Sequence, residues 1–119
     1  MKRTVGIVTA NLDLALTAVG ALPADVETHT HLSWDDHGVD AFACDVTLIG
    51  ADLARECPVR AVTATVYVVA PDRKGLPTGA YTDALAIGAS SVLVLSEPLD
   101  RCRLWRLATG ATTTIGGGA

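Results

Sequence analysis

Thr82-Asp83-Ala84-Leu85-Ala86-Ile87-Gly88-Ala89-Ser90-Ser91-Val92-Leu93-Val94-Leu95-Ser96-Glu97-Pro98 decides the fold. Its first half carries Ala84, Leu85 and Ile87 at helical spacing and stops at Gly88, which suits a left-handed helix end. Residues 91–95 are a short apolar run of the kind found in parallel strands covered on both faces. Pro98 then suits the first position of another helix, where its missing N–H costs nothing.

The same alternation extends outward. Thr78 is a candidate cap for the helix through Ala80, Tyr81, Ala84, Leu85 and Ile87. Before it, residues 71–77 hold two prolines and a glycine and read as a loop, and Thr65-Val66-Tyr67-Val68-Val69-Ala70 reads as a strand. Residues 45–50 form another strand, followed by a short helix over 52–57 that Pro58 stops. Residues 4–9 are a nearly continuous β-branched run and the natural central strand. Asn11 or Asp13 can cap the next helix, whose Leu12, Leu16, Val19 and Leu22 form a stripe expected to face the sheet. Residues 26–30 give a polar edge strand, and residues 33–42 an irregular helix or loop. The last helix runs from Pro98 to about Ala108. Five strands alternating with helices imply right-handed crossovers and a three-layer α/β sandwich.

Composition narrows the function. A chain of 119 residues, 50% apolar, fits one domain with a real core. Only Trp34, Phe42, Tyr67, Tyr81 and Trp105 are aromatic and the formal charge is −4, which argues against nucleic acid as the main partner. Met1-Lys2-Arg3 before an apolar stretch resembles a secretory opening. Asn11 and Asp13 oppose it, since an aspartate at the centre of a membrane helix costs about 2.5 to 3.5 kcal/mol on insertion scales. The expectation is a cytoplasmic protein without a transmembrane segment. Cys44, Cys57 and Cys102 are widely spaced among apolar neighbours and read as small core residues.

Asp45-Val46-Thr47-Leu48-Ile49-Gly50, together with the phrase from Thr82 to Pro98, resembles the CheY-like receiver domain of response regulators over residues 4–108. The resemblance implies a flavodoxin-like fold with a five-stranded parallel sheet in the order 2-1-3-4-5. In active receivers an acidic pair after the first strand binds magnesium with a phosphorylated aspartate, a Ser or Thr ends the fourth strand, and a lysine ends the fifth. Carried over to this chain, Thr9, Ala10 and Asn11 occupy the acidic-pair region, Gly50 the acceptor and Ala70 the hydroxyl position. Glu97, or Leu95 on another alignment, stands where the lysine belongs. Magnesium needs hard oxygen ligands and phosphoryl transfer needs a nucleophile with countercharge, so the expectation is a pseudo-receiver with no catalytic residue and no metal. Asp52 is the one substitute phosphoacceptor in reach, its plainer reading being a helix N-cap.

Ala111-Thr112-Thr113-Thr114-Ile115-Gly116-Gly117-Gly118-Ala119 reads as a β-branched run entering a glycine-rich turn. Gly116, Gly117 and Gly118 fit the start of a phosphate-binding loop without the Gly-Lys-Ser/Thr that completes one, or a flexible tail. A vacant receiver followed by this run resembles the actinobacterial septum-site-determining, CpaE-like ATPases of the MinD/ParA superfamily, with residues 1–109 as the receiver-like domain and 110–119 as the linker and opening of a truncated P-loop domain. The resemblance implies cytoplasmic regulators of septum placement or pilus assembly that associate with the membrane through partners. ATP and magnesium would belong to the missing C-terminal domain, and this fragment would be no enzyme.

His29 and His31 share one strand face, with Asp35, Asp36 and His37 close behind. They are a zinc inventory on paper, or simply solvated histidines on a polar edge. In the last helix, Leu99, Cys102, Leu104, Trp105, Leu107 and Ala108 spread around the whole circumference, so some apolar surface stays exposed. By resemblance, Tyr81, Arg101 and Trp105 become interface candidates for the chain's own ATPase domain, a protein partner or a homodimer. A rival from another class is a small-molecule site where Thr9, Asn11, Gly50 and Asp72 converge at the carboxyl ends of the strands.

Overall fold

The computed structural model describes residues 3–34, 38–57, 65–74 and 76–109. Five strands, β1 (Thr4–Val8), β2 (Glu27–His31), β3 (Val46–Gly50), β4 (Thr65–Ala70) and β5 (Ser91–Val94), form one parallel sheet in the order β2-β1-β3-β4-β5. Helices α1 (Leu12–Gly20) and α3 (Pro98–Thr109) cover one face. Helix α2 (Ala80–Ala86) and a 3-10 turn over Ala54–Glu56 cover the other. This is the receiver order and the three-layer α/β sandwich that the sequence predicts.

Strand periodicity builds the layers. Val5, Ile7, Val46, Leu48, Val69 and Leu93 point toward α1 and α3. Ile49, Val66, Val68 and Val92 point toward α2. Register keeps the sides matched: Leu48 lies beside Tyr67, and Ile49 beside Val68 beside Val92. Both faces of the central strands are therefore apolar, which is why these segments read as continuous runs rather than alternations.

One close approach shapes the second face. The 3-10 segment Gly38–Ala43 crosses β1 where Gly6 leaves room, and a Cβ at position 6 would sit 2.7 Å from the Ala41 Cβ and 2.8 Å from its carbonyl oxygen. Thr47, beside Gly6 in the sheet, donates its buried hydroxyl to that carbonyl at 2.7 Å. Trp34 stacks on Phe42 with ring centroids 6.0 Å apart and donates its indole N–H to the Leu53 carbonyl at 2.9 Å. At the amino ends of the strands, the Asp45 carboxylate accepts the Thr4 amide at 2.9 Å and its hydroxyl at 3.2 Å. The Thr4 backbone bond is the main cause that holds this carboxyl below its ordinary value.

Several expectations need correction. The stripe Leu12, Leu16 and Val19 does not face the sheet: these residues are 58%, 62% and 38% exposed, and of the predicted stripe only Leu22 is buried. Leu14, Ala15 and Ala18 pack inward instead, because small side chains let a short helix lie close to the strands. Asn11 is the cap of α1, accepting from the Leu14 amide. Helix α2 starts behind Gly79, whose φ of 89° only glycine adopts freely, and Thr78 is not its cap. The helix predicted over 52–57 shrinks to the 3-10 turn, and Asp52 does not cap it. Cys57 is half-buried and packs against the core under α2, whereas Cys44 is half-buried outside either core cluster and Cys102 is exposed, so the core reading holds only in part. Gly88 ends α2 with φ 81°, as its sequence position predicts.

Candidate functional site

The carboxyl ends of β1, β3 and β4 meet at Thr9, Gly50 and Ala70, all buried. What fills this place is Asp52. From the turn after β3, one carboxylate oxygen accepts the Thr9 hydroxyl at 2.7 Å and the other accepts the Ala10 amide at 2.9 Å. Thr9 also accepts the Asn11 amide at 3.1 Å, so its buried hydroxyl both donates and accepts. A Cβ at position 50 would overlap the near Asp52 oxygen and lie 2.5 Å from the Thr9 hydroxyl oxygen and 2.6 Å from its Cβ. Glycine at 50 is thus the condition for this carboxylate to lie across the strand ends.

The remaining positions are engaged in other contacts. Asn11 is spent on capping α1. Ala70 is wholly buried and accepts the Leu95 amide at 2.9 Å through its carbonyl, while the Leu95 side chain joins the core under α3. Glu97 is gripped by Arg73 through two guanidinium nitrogens, one at 3.1 Å from the second carboxylate oxygen. That hydrogen bond and charge hold the Arg73 guanidinium above its already high ordinary value. Where the receiver pattern puts a cation near the strand ends, this chain pairs its anion with an arginine from the loop after β4. Arg73 carries no motif, and only the opposite sign of Glu97 could have pointed to it.

The structure brings Thr9, Ala10, Gly50 and Asp52 together and leaves Asp72 in the exposed loop beside Arg73. His29 and His31 lie on one face of β2, where His29 bonds Glu27 at 2.7 Å. Asp35, Asp36 and His37, like Gly116, Gly117 and Gly118, fall outside the described residues. Among the described residues no cluster of three metal-ligating side chains occurs, and no helix is long and apolar enough to cross a membrane. Tyr81 and Trp105 stand exposed on α2 and α3, which flank the edge strand β5 from opposite faces. Arg101 donates through its guanidinium to the Leu95 carbonyl at 2.9 Å, which holds the head of its side chain at the end of β5.

No protein-family model and no curated protein sequence matches the chain. Solved structures do. The beryllofluoride-activated DrrB receiver domain superposes with a TM-score of 0.61 at 14% identity, covering 92% of this chain and 99% of that one. The response regulator DrrB, an OmpR/PhoB homolog from Thermotoga maritima, gives 0.59 at 13% identity over 87% of this chain. The chain spans about half of that regulator, 49% of its length. The signal receiver domain of the response regulator NarL from Mycobacterium tuberculosis gives 0.57 at 17% identity, covering 92% and 94%. Likeness at such identities establishes the receiver fold.

Proposed function

We propose that this domain is a receiver-like regulatory module that binds other protein surfaces and takes no phosphoryl group. The observation that carries the reading is the Asp52 carboxylate lying where a side chain on residue 50 would have to stand, bonded to Thr9 and Ala10. A phosphoacceptor must present a free oxygen to an incoming phosphorus, in line and beside a metal. Asp52 offers oxygens already committed to two donors, with no acidic pair opposite, so it is not favoured as a substitute phosphoacceptor.

What the domain offers a partner is surface. Tyr81 and Trp105, 60% and 48% exposed, present large apolar area on either side of β5, and Arg101 is held at the end of that strand by its bond to the Leu95 carbonyl. Aromatic and arginine side chains of this kind are the usual anchors of protein interfaces. The run from Ala111 to Ala119 supports the further reading that the partner is an ATPase domain of the MinD/ParA type on the same chain, with ATP and magnesium bound there, in a cytoplasmic regulator of septum placement or pilus assembly.

The deciding experiment is beryllofluoride titration with magnesium, followed by amide resonances and by the Trp34 indole, whose bond to Leu53 places it next to Asp52. The expected result is no saturable shift at Thr9, Ala10, Gly50 or Asp52. Saturable shifts centred on Asp52 that vanish in Asp52→Asn would overturn the proposal.

A further inference from the structure

Among the described residues, strand β2 is an open edge, bonded on one side to β1 alone. Glu27 donates its amide to the Arg3 carbonyl and His31 accepts the Thr9 amide, both at 3.0 Å. In a parallel ladder each such residue turns its N–H and C=O to the same neighbour, so Glu27, His29 and His31 serve β1. The N–H and C=O groups of Thr28 and Thr30 point outward. Proteins usually blunt such an edge with proline, lysine or a bulge. Glu27-Thr28-His29-Thr30-His31 has none of these.

The flank above that edge is apolar. At 100° per residue, Leu12, Leu16 and Val19 centre about 110° around α1 from the direction of Leu14, Ala15, Ala18 and Leu22. The right-handed β1-α1-β2 crossover turns this rotation toward β2, away from α3. The exposed stripe therefore overhangs the unpaired strand edge, and Leu32, 54% exposed, follows directly at its end.

We infer that a second copy of this chain covers this flank by antiparallel β2-to-β2 pairing about a two-fold axis at His29. The strand is self-complementary in that register. Thr28 and Thr30 exchange their outward backbone bonds with Thr30 and Thr28 of the other copy, and the Glu27 carboxylate stands opposite a His31 imidazole at both ends. In this register His29 meets only its own copy, whereas shifting the two-fold to Thr30 would set His29 against His31 at both ends and leave Glu27 without an opposed imidazole, and shifting it to Thr28 would leave Thr30 outside the described strand pairing. The same axis brings the two α1 helices side by side on one face of a ten-stranded sheet. Each helix lies over the outermost strand pair, so strand spacing sets them roughly 10 Å apart, within the range of packed helices. Leu16 then faces its own copy near the axis, and Leu12 faces Val19. Backbone edge, charge pattern and apolar stripe all select one occupant.

Sedimentation equilibrium of the 119-residue chain is expected to give twice the 12.3 kDa monomer mass. Leu16→Glu, at an exposed position, should raise the dissociation constant about tenfold or more with unchanged far-ultraviolet circular dichroism. Thr30→Pro removes one outward N–H and should do the same, while Leu85→Ala on α2, exposed on the other side of the sheet, should leave the dimer intact. His29→Cys should give a disulfide-linked dimer under mild oxidation, against the background of Cys44, Cys57 and Cys102 in the unsubstituted chain, because opposed residues that do not exchange backbone bonds bring their Cβ atoms closest. A monomer at every concentration, or a dimer indifferent to Leu16→Glu, would overturn the inference. Neither result bears on the beryllofluoride titration.

Discussion

Gly6→Ala is expected to destabilise the fold by about 3 kcal/mol, read from the urea midpoint at unchanged slope. In a strand interior, alanine ordinarily gains on glycine by roughly 0.5 to 1 kcal/mol because it loses less backbone entropy. Here the added Cβ meets Ala41 backbone and side chain at 2.7 to 2.9 Å. Ala41 cannot retreat cheaply, since its carbonyl accepts both the Thr47 hydroxyl and the Cys44 amide. Moving it would strand a buried hydroxyl, worth about 1 to 3 kcal/mol when left unsatisfied. The steric penalty therefore outweighs the propensity gain. A stability change below about 0.5 kcal/mol would mean that the 3-10 segment over Gly38–Ala43 yields freely and does not clamp β1.

The strands were legible because burial on both faces leaves runs such as Val66 to Ala70 with no polar residue to break them. Helix facing was less so. In α1 the largest apolar residues form the more conspicuous stripe, yet Leu14, Ala15 and Ala18 take the inward face. Size alone does not say which stripe meets the sheet when Ala can pack closer than Leu, and the displaced stripe is what now marks the β2 flank. At the strand ends, substitution at Thr9, Ala10, Asn11, Gly50 and Ala70 could be read from sequence, but the replacement contact could not. Thr9 and Asp52 are 43 residues apart, and nothing local to Asp52 distinguishes a carboxylate that caps its own turn from one that reaches another strand. The Arg73 to Glu97 pair was hidden for the same reason.

That long-range contact makes Gly50 and Asp52 a coupled pair, and a double-mutant cycle should show it. Gly50→Ala alone is expected to cost about 3 kcal/mol, because its Cβ lies 2.5 to 2.6 Å from buried Thr9 and must also expel the Asp52 carboxylate. Asp52→Ala alone should cost about 1 kcal/mol: it removes two hydrogen bonds to a charged acceptor, discounted because Asp52 is exposed to solvent. In the double variant the carboxylate is already gone, so its expulsion is not counted twice and the clash with it disappears. Only the Thr9 contact remains. The total should fall below the sum by about 0.5 to 2 kcal/mol, the range for residues in direct contact. Strict additivity would mean that Asp52 swings out to water at no cost and does not occupy the space beside Gly50, which would remove the physical basis for a blocked phosphoryl site. Gly50→Asp carries the argument one step further. It restores an acidic side chain yet leaves Thr9, Ala10 and Asn11 without a metal-binding carboxylate, so it should lose stability as Gly50→Ala does and still show no beryllofluoride response.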